Sequence, residues 1–131
     1  MADKPRIDPA LVQEFVNNAH SDFPSLRDLL EREVALDPNY ALGHSALADA
    51  WSAMGYDQRA QEESKKASEL TSGLSREDRL WIEGRNWELN RKWEKAVDIY
   101  RTLFAFFPDN IEYGLHLAAA QTRARRSEER R

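Results

Sequence analysis

The chain repeats itself at a fixed offset of 36 residues. Leu47-Ala48 is followed, three residues after the alanine, by Trp51; Gly55 then marks a turn, Ala60 and Ala67 follow, and another turn comes near Gly73. One period later, Glu83-Gly84 is followed by Trp87, Ala96, Tyr100, Leu103 and Pro108. Trp51 thus aligns with Trp87, and Ala60 with Ala96. Small and large residues recurring in phase at such a spacing mark a stacked helical array, in which each unit covers the apolar face of the next. Arrays of this kind more often hold partners than perform chemistry.

The punctuation predicts seven helices. Asp8-Pro9 reads as a cap followed by proline in the first turn, and Leu11, Phe15, Val16 and Ala19 keep helical spacing to His20. After a turn over residues 21–24, a second helix runs from Ser25 to Leu36, where Asp37-Pro38-Asn39 stops it. A third spans Tyr40 to Met54, rich in alanine, and Gly55 closes it as a left-handed cap. Asp57 is placed to cap the fourth, which reaches Leu70. Ser75 and Asp78 resemble a capping box for the fifth, which ends near Asn90. The sixth covers Trp93 to Phe106, and Pro108-Asp109-Asn110 breaks it. The seventh starts near Ile111 and fades in the Arg/Glu tail. Apolar and polar residues nowhere alternate strictly for long, so strands are not expected. Helices this short are marginal alone, so their stability must come from packing at the alanines and glycines, with Trp51, Trp87 and Tyr100 filling the space beside them.

These residues resemble the tetratricopeptide repeat family, best over residues 41–74 and then 77–110. Residues 7–40 look like a degenerate repeat, with Asn17 where the family has an aromatic, and residues 111–126 like a terminal helix, with Gly114, Leu117 and Ala118 in phase. The resemblance implies an all-α, right-handed superhelical solenoid of antiparallel helix pairs. A leader (residues 1–6) would precede it and a basic tail (residues 127–131) would follow. Residues 74–120 are also similar to repeats of multidomain bacterial signalling proteins, including serine/threonine kinases and transcriptional regulators. The likeness lies in Ser-Arg-Glu-Asp-Arg-Leu-Trp-Ile-Glu, Ile-Tyr-Arg-Thr-Leu and Phe-Phe-Pro-Asp-Asn-Ile-Glu-Tyr-Gly-Leu; the chain carries no kinase or DNA-binding segment. Two departures from the pattern stand out. Glu83 replaces a leucine, and two extra residues lengthen the turn between the second and third repeats.

Composition limits what else the chain does. It has 131 residues, 41% hydrophobic and 32% charged, with no cysteine. That suits one helical domain with solvated faces and excludes disulfides, thiolate metal sites and a cysteine nucleophile. No apolar run is long enough to span a membrane, and no signal-peptide core follows the N-terminus; a cytoplasmic protein is expected. The net charge is −4. Residues 122–131 carry five arginines and two glutamates, a local +3 that leaves −7 on the rest. The body therefore has no footprint for nucleic acid. The tail either meets an acidic partner or RNA, or is a solvated helix end whose arginines suit the helix dipole.

In the family, the first helix of each pair lines an inner, concave wall. The resemblance therefore implies a groove for a peptide or protein partner, lined by Leu11, Phe15 and Asn18, by Leu42, Ser45, Asp49 and Ser52, by Asp78, Trp81, Arg85 and Glu88, and by Glu112, Leu115 and Ala119. The spacing of three, four and three puts Asp78, Trp81, Arg85 and Glu88 on one helix face. In the groove reading Trp81 anchors an apolar side chain, Arg85 grips a carboxylate, and Asp49 and Glu88 repel anionic segments. In the alternative, Trp81 packs between helices and Arg85 pairs with Glu88 or Asp78 on a solvated face. At the positions where carboxylate-clamping repeats use lysine, asparagine and arginine, this chain has Leu11, Phe15, Ala46, Asp78 and Ile82, which argues against a cochaperone. Nothing covers the terminal helix, so Leu115 and Leu117 are candidates for self-association as a homodimer.

Catalysis is not expected. His20, His44 and His116 lie on three different predicted helices and make no zinc pattern. Phosphate loops and nucleophile elbows are missing, and no cofactor is implied. Glu83 is the carboxylate to watch: buried, it would have a raised pKa, unless Arg79 or Arg85 pairs with it.

Overall fold

The computed structural model describes residues 23–130, and of Phe23 only the backbone. The expected leader and first helix, with Leu11, Phe15 and Asn18, lie outside the described residues. Those residues form six α-helices and no strand. They are α1 (Phe23–Leu36), α2 (Ala41–Ala53), α3 (Asp57–Glu69), α4 (Arg76–Leu89), α5 (Trp93–Phe106) and α6 (Ile111–Glu129). The chain divides after Leu70 into two compact units. In each, consecutive helices pack antiparallel: α1 on α2 and α2 on α3 in the first, α4 on α5 and α5 on α6 in the second.

The two helix pairs close with the same hydrogen bonds, 36 residues apart. Tyr56 N–H donates to the Trp51 carbonyl at 2.9 Å, and Lys92 N–H to that of Trp87 at 2.9 Å. Gly55 N–H donates to Ser52 and Arg91 N–H to Glu88, both at 3.0 Å. Ala60 N–H donates to Tyr56 and Ala96 N–H to Lys92, both at 3.0 Å. This pattern returns the chain through a left-handed residue and satisfies carbonyls that a helix end leaves open. Gly55 takes the left-handed conformation at φ 86°, as expected, and in the second copy Arg91 takes it at φ 60°.

In the first unit, Leu26 and Leu30 of α1 are buried, as are Leu47, Ala48, Ala50 and Trp51 of α2 and Ala60 and Ala67 of α3. Trp51 meets Tyr56 edge-on at 5.2 Å. The guanidinium groups of Arg27 and Arg59 lie 5.2 and 5.0 Å from its centroid, so α1 and α3 both reach it with cations. The helix α1 begins at Phe23, two residues before the expected start, because Pro24 falls in the first turn, where its missing N–H has no helical partner to lose. The expected cap at Asp57 shifts by one. Tyr56 holds the cap position without a side-chain hydrogen bond, and Asp57 is the first helical residue.

In the second unit, Ala96, Val97, Tyr100 and Leu103 of α5 pack with Tyr113 and Ala120 of α6, and Leu80, Trp81 and Trp87 of α4 close over them. Gly84 permits this approach. A Cβ there would lie 2.8 Å from Tyr100 Cε1 and 3.1 Å from Ile99 Cγ2. Ser75 Oγ accepts from Asp78 N–H at 3.1 Å, the serine half of the expected capping box. The terminal helix does not fade at residue 126 but continues to Glu129.

Candidate functional site

The face of α4 chosen by spacing is where the second unit gathers its polar side chains. Trp81 is half-buried among rings of both neighbouring helices. Its centroid lies 6.1 Å from Tyr100 on α5, and 5.6 Å from Tyr113 and 5.1 Å from His116 on α6. The His116 contact is edge-on at 88°, a favoured arrangement for rings. The Arg85 guanidinium stands 5.6 Å from the Trp81 centroid.

Arg85 is 9% exposed, and its Nη1 donates to Glu88 Oε2 at 2.6 Å. The pair seen as an alternative in the sequence therefore forms, but in a largely buried position rather than on a solvated face. The same Nη1 lies 3.1 Å from His116 Nδ1, which in turn is 3.5 Å from Glu88 Oε1. One ring nitrogen thus lies between a cation and a carboxylate. Burial pushes the Glu88 carboxyl up, but His116, the Arg85 charge and the nearby Tyr100 hydroxyl outweigh it and hold the group at about 2. Glu88 is therefore an anion at neutral pH, matched to the Arg85 cation.

Toward the N-terminal ends of α4 and α6 the face turns acidic. Tyr113 donates its hydroxyl to Glu77 Oε2 at 2.8 Å. Burial, that hydrogen bond and the charges of Glu77, Asp78 and Glu112 all push the phenol well above its usual range, so these carboxylates share one neighbourhood. Further along α6, Leu115 and Ala119 are exposed, while Leu117 is half-buried against the α5 core. Of the two leucines proposed for self-association, Leu115 is therefore the one left open. Glu83 is exposed, so the buried position considered for it from the sequence is not met.

In the first unit, Leu42, Asp49 and Ser52 are half-buried on α2, and Ser45 is buried. A second polar centre lies there that the sequence reading missed. His44 is buried, with Nδ1 2.7 Å from Glu63 Oε2 on α3 and Nε2 2.8 Å from the Pro38 carbonyl. Both partners are acceptors, so the ring satisfies both only as an imidazolium with two N–H donors. The Glu63 hydrogen bond, opposed by burial and helped by the Pro38 carbonyl, raises the His44 pKa. Burial acts against Glu63, but His44 and Lys66, whose Nζ is 3.4 Å from Oε1, bring its pKa down. No sequence spacing announces this pair; its members are 19 residues apart and meet only because α2 and α3 pack.

Among the described residues no three His, Asp or Glu side chains gather to hold a metal ion, and no helix is long and apolar enough to cross a membrane. No protein-family model matches the sequence, and no curated protein matches it significantly.

Proposed function

We propose that the chain is a non-catalytic protein-interaction module, a tetratricopeptide-type scaffold whose first helices offer an inner wall to a peptide or protein. In this reading the first helix of each pair faces the partner, through Asp49 and Ser52 on α2 in the first unit and through Asp78, Trp81, Arg85 and Glu88 on α4 in the second. The observation that carries the reading is the bond-for-bond recurrence of the pair closure at 36 residues. A repeated helix pair packs its neighbours with one side and leaves another for company.

The chemistry of the α4 face selects the kind of partner. Arg85 is already bound to Glu88, so it is a poor grip for a partner's carboxylate. The charges gathered around Tyr113, toward the N-terminal ends of α4 and α6, are the carboxylates Glu77, Asp78 and Glu112. The segment recognised is therefore neutral or basic, with an apolar side chain laid against the open part of Trp81. Acidic C-termini are disfavoured, as the missing lysine-asparagine-arginine pattern also implies. Cytoplasmic residence and a place in bacterial signalling assemblies belong to the same proposal.

The test is capture of partners from cells, followed by binding measurements with each purified candidate. Asp78→Arg and Ser52→Arg, on the first helices, should abolish binding without moving the melting curve. Glu62→Arg and Lys65→Glu, exposed on α3, should leave it intact. Trp81→Ala should lose binding in step with its loss of fold, because its ring is also packing. Binding that survives both first-helix variants, or fails with the α3 ones, contradicts the reading.

A further inference from the structure

The helix α6 carries an apolar stripe that no described helix covers. Ile111 is 73% exposed and Leu115 65%. Ala118, Ala119 and Thr122 continue the stripe at helical spacing, and Ala118 and Ala119 are exposed. Beside its start, at the last residue of α5, Phe106 is 61% exposed. The opposite side of α6, with Tyr113, Leu117, Ala120 and Ala124, is packed on α5. Large exposed apolar side chains grouped in this way mark an association surface.

Charge along the same helix identifies the occupant. At its N-terminal end stand Asp109 and Glu112, with Glu77 and Asp78 close by; Arg76, 5.0 Å from the Phe106 ring centroid, offsets one of these charges and leaves the end net negative. At its C-terminal end stand Arg123, Arg125, Arg126 and Arg130, which outnumber Glu128 and Glu129 and leave that end net positive. A second copy laid antiparallel therefore brings each basic end onto the other's acidic end. With Glu112 opposite Arg126, the Ala118-Ala119 region of the two helices meets in the middle, where alanine lets the axes come close, and each Leu115 lies over the Ala119–Thr122 stretch of the other copy. A parallel copy would instead set arginines against arginines. An isologous twofold contact of this kind satisfies both copies at once.

We propose that the open face of α6 is a homodimer surface, formed by two antiparallel copies of this helix with a shared apolar centre and reciprocal Arg-to-carboxylate ends. The proposal does not rest on the function proposed above: it shares Asp78 with the α4 face and takes for the dimer Glu112, Leu115 and Ala119, which the sequence alone assigned to the groove.

Sedimentation of the 131-residue chain from micromolar to millimolar concentration tests it. A dimer is expected, weakened by salt, because its ends are ionic. Leu115→Glu should leave the helical circular dichroism unchanged and weaken the dimer by about tenfold or more, since it buries a charge at the contact. Glu112→Arg and Arg126→Glu should each weaken it, and the two together should restore it. The lack of cysteine in the chain permits a check of orientation. Asp109→Cys mixed with Arg126→Cys should cross-link as a heterodimer, and Arg126→Cys alone should not. A monomer at all concentrations, an association indifferent to Leu115→Glu, or cross-linking of Arg126→Cys to itself would each overturn the proposal. So would a monomer that takes up a basic peptide on this face.

Discussion

Arg91 stands 36 residues after Gly55 and holds the same left-handed turn, at φ 60° where the glycine has 86°. A side chain in this conformation costs about 1–2 kcal/mol. Glycine is also less ordered when unfolded, which returns about 0.5–1 kcal/mol of that gain. Arg91→Gly should therefore stabilise the chain by about 0.5–1 kcal/mol in urea unfolding. Gly55→Arg should destabilise it by a similar amount. An Arg91→Gly variant less stable than the parent would mean that its guanidinium contributes more than its backbone costs.

The close approach of α4 to α5 depends on Gly84. A methyl group there falls 2.8 Å from the ring of fully buried Tyr100. Overpacking costs about 1–3 kcal/mol, and alanine's better helix propensity returns about 1. Gly84→Ala should therefore lose up to about 2 kcal/mol. Gly114→Ala should lose less, because the Phe104 ring it meets at 3.0 Å is only half-buried and can yield. Equal losses at the two positions would show that ring mobility does not decide the outcome.

The His44–Glu63 pair makes the first unit sensitive to pH. The charged groups facing the ring are Glu63 and Lys66 of α3, and the loop before α2 presents the Pro38 carbonyl. The folded His44 pKa is raised above 6.5, so its contribution is complete below about pH 6.5 and fades as pH rises through the folded value. Glu63 is lowered, so its contribution holds above 4.5 and fades as pH falls. Unfolding free energy should therefore peak between these limits. His44→Gln should cost about 1–3 kcal/mol at pH 6 and remove the alkaline decline. A decline that persists in that variant assigns it elsewhere.

Glu88 couples α4 to α6 through His116. Its carboxyl sits at about 2 when folded, below the ordinary 4.5, so its contribution is present above 4.5 and is lost toward pH 2. Glu88→Ala leaves Arg85 buried without its carboxylate, a loss of about 3 kcal/mol. The Arg85→Met, Glu88→Leu double variant should recover most of that loss, because an apolar pair needs no compensation. If the double variant is worse than Glu88→Ala, the ion pair contributes net stability.

Helix order was legible because glycine, proline and alanine carry local signals that outrank tertiary context at these turns. Gly55 announced its cap, while Arg91 carried no sign of one and became visible only in the backbone. Asp57 was placed one residue out, since a carboxylate suits both a cap and a first turn. Spacing put Trp81, Arg85 and Glu88 on one face, and the structure gathers them with His116. What surrounds that face, rings from α5 and α6, comes from residues too distant in sequence for periodicity to reach. The His44–Glu63 contact was hidden for the same reason.

The central claim is that one helix-pair closure occurs twice, 36 residues apart. Scalar couplings across hydrogen bonds, measured by nuclear magnetic resonance, report donors and acceptors directly. The account predicts couplings from Tyr56 N–H to the Trp51 carbonyl and from Lys92 N–H to the Trp87 carbonyl, of similar size. A coupling in one turn with none in the other would contradict it.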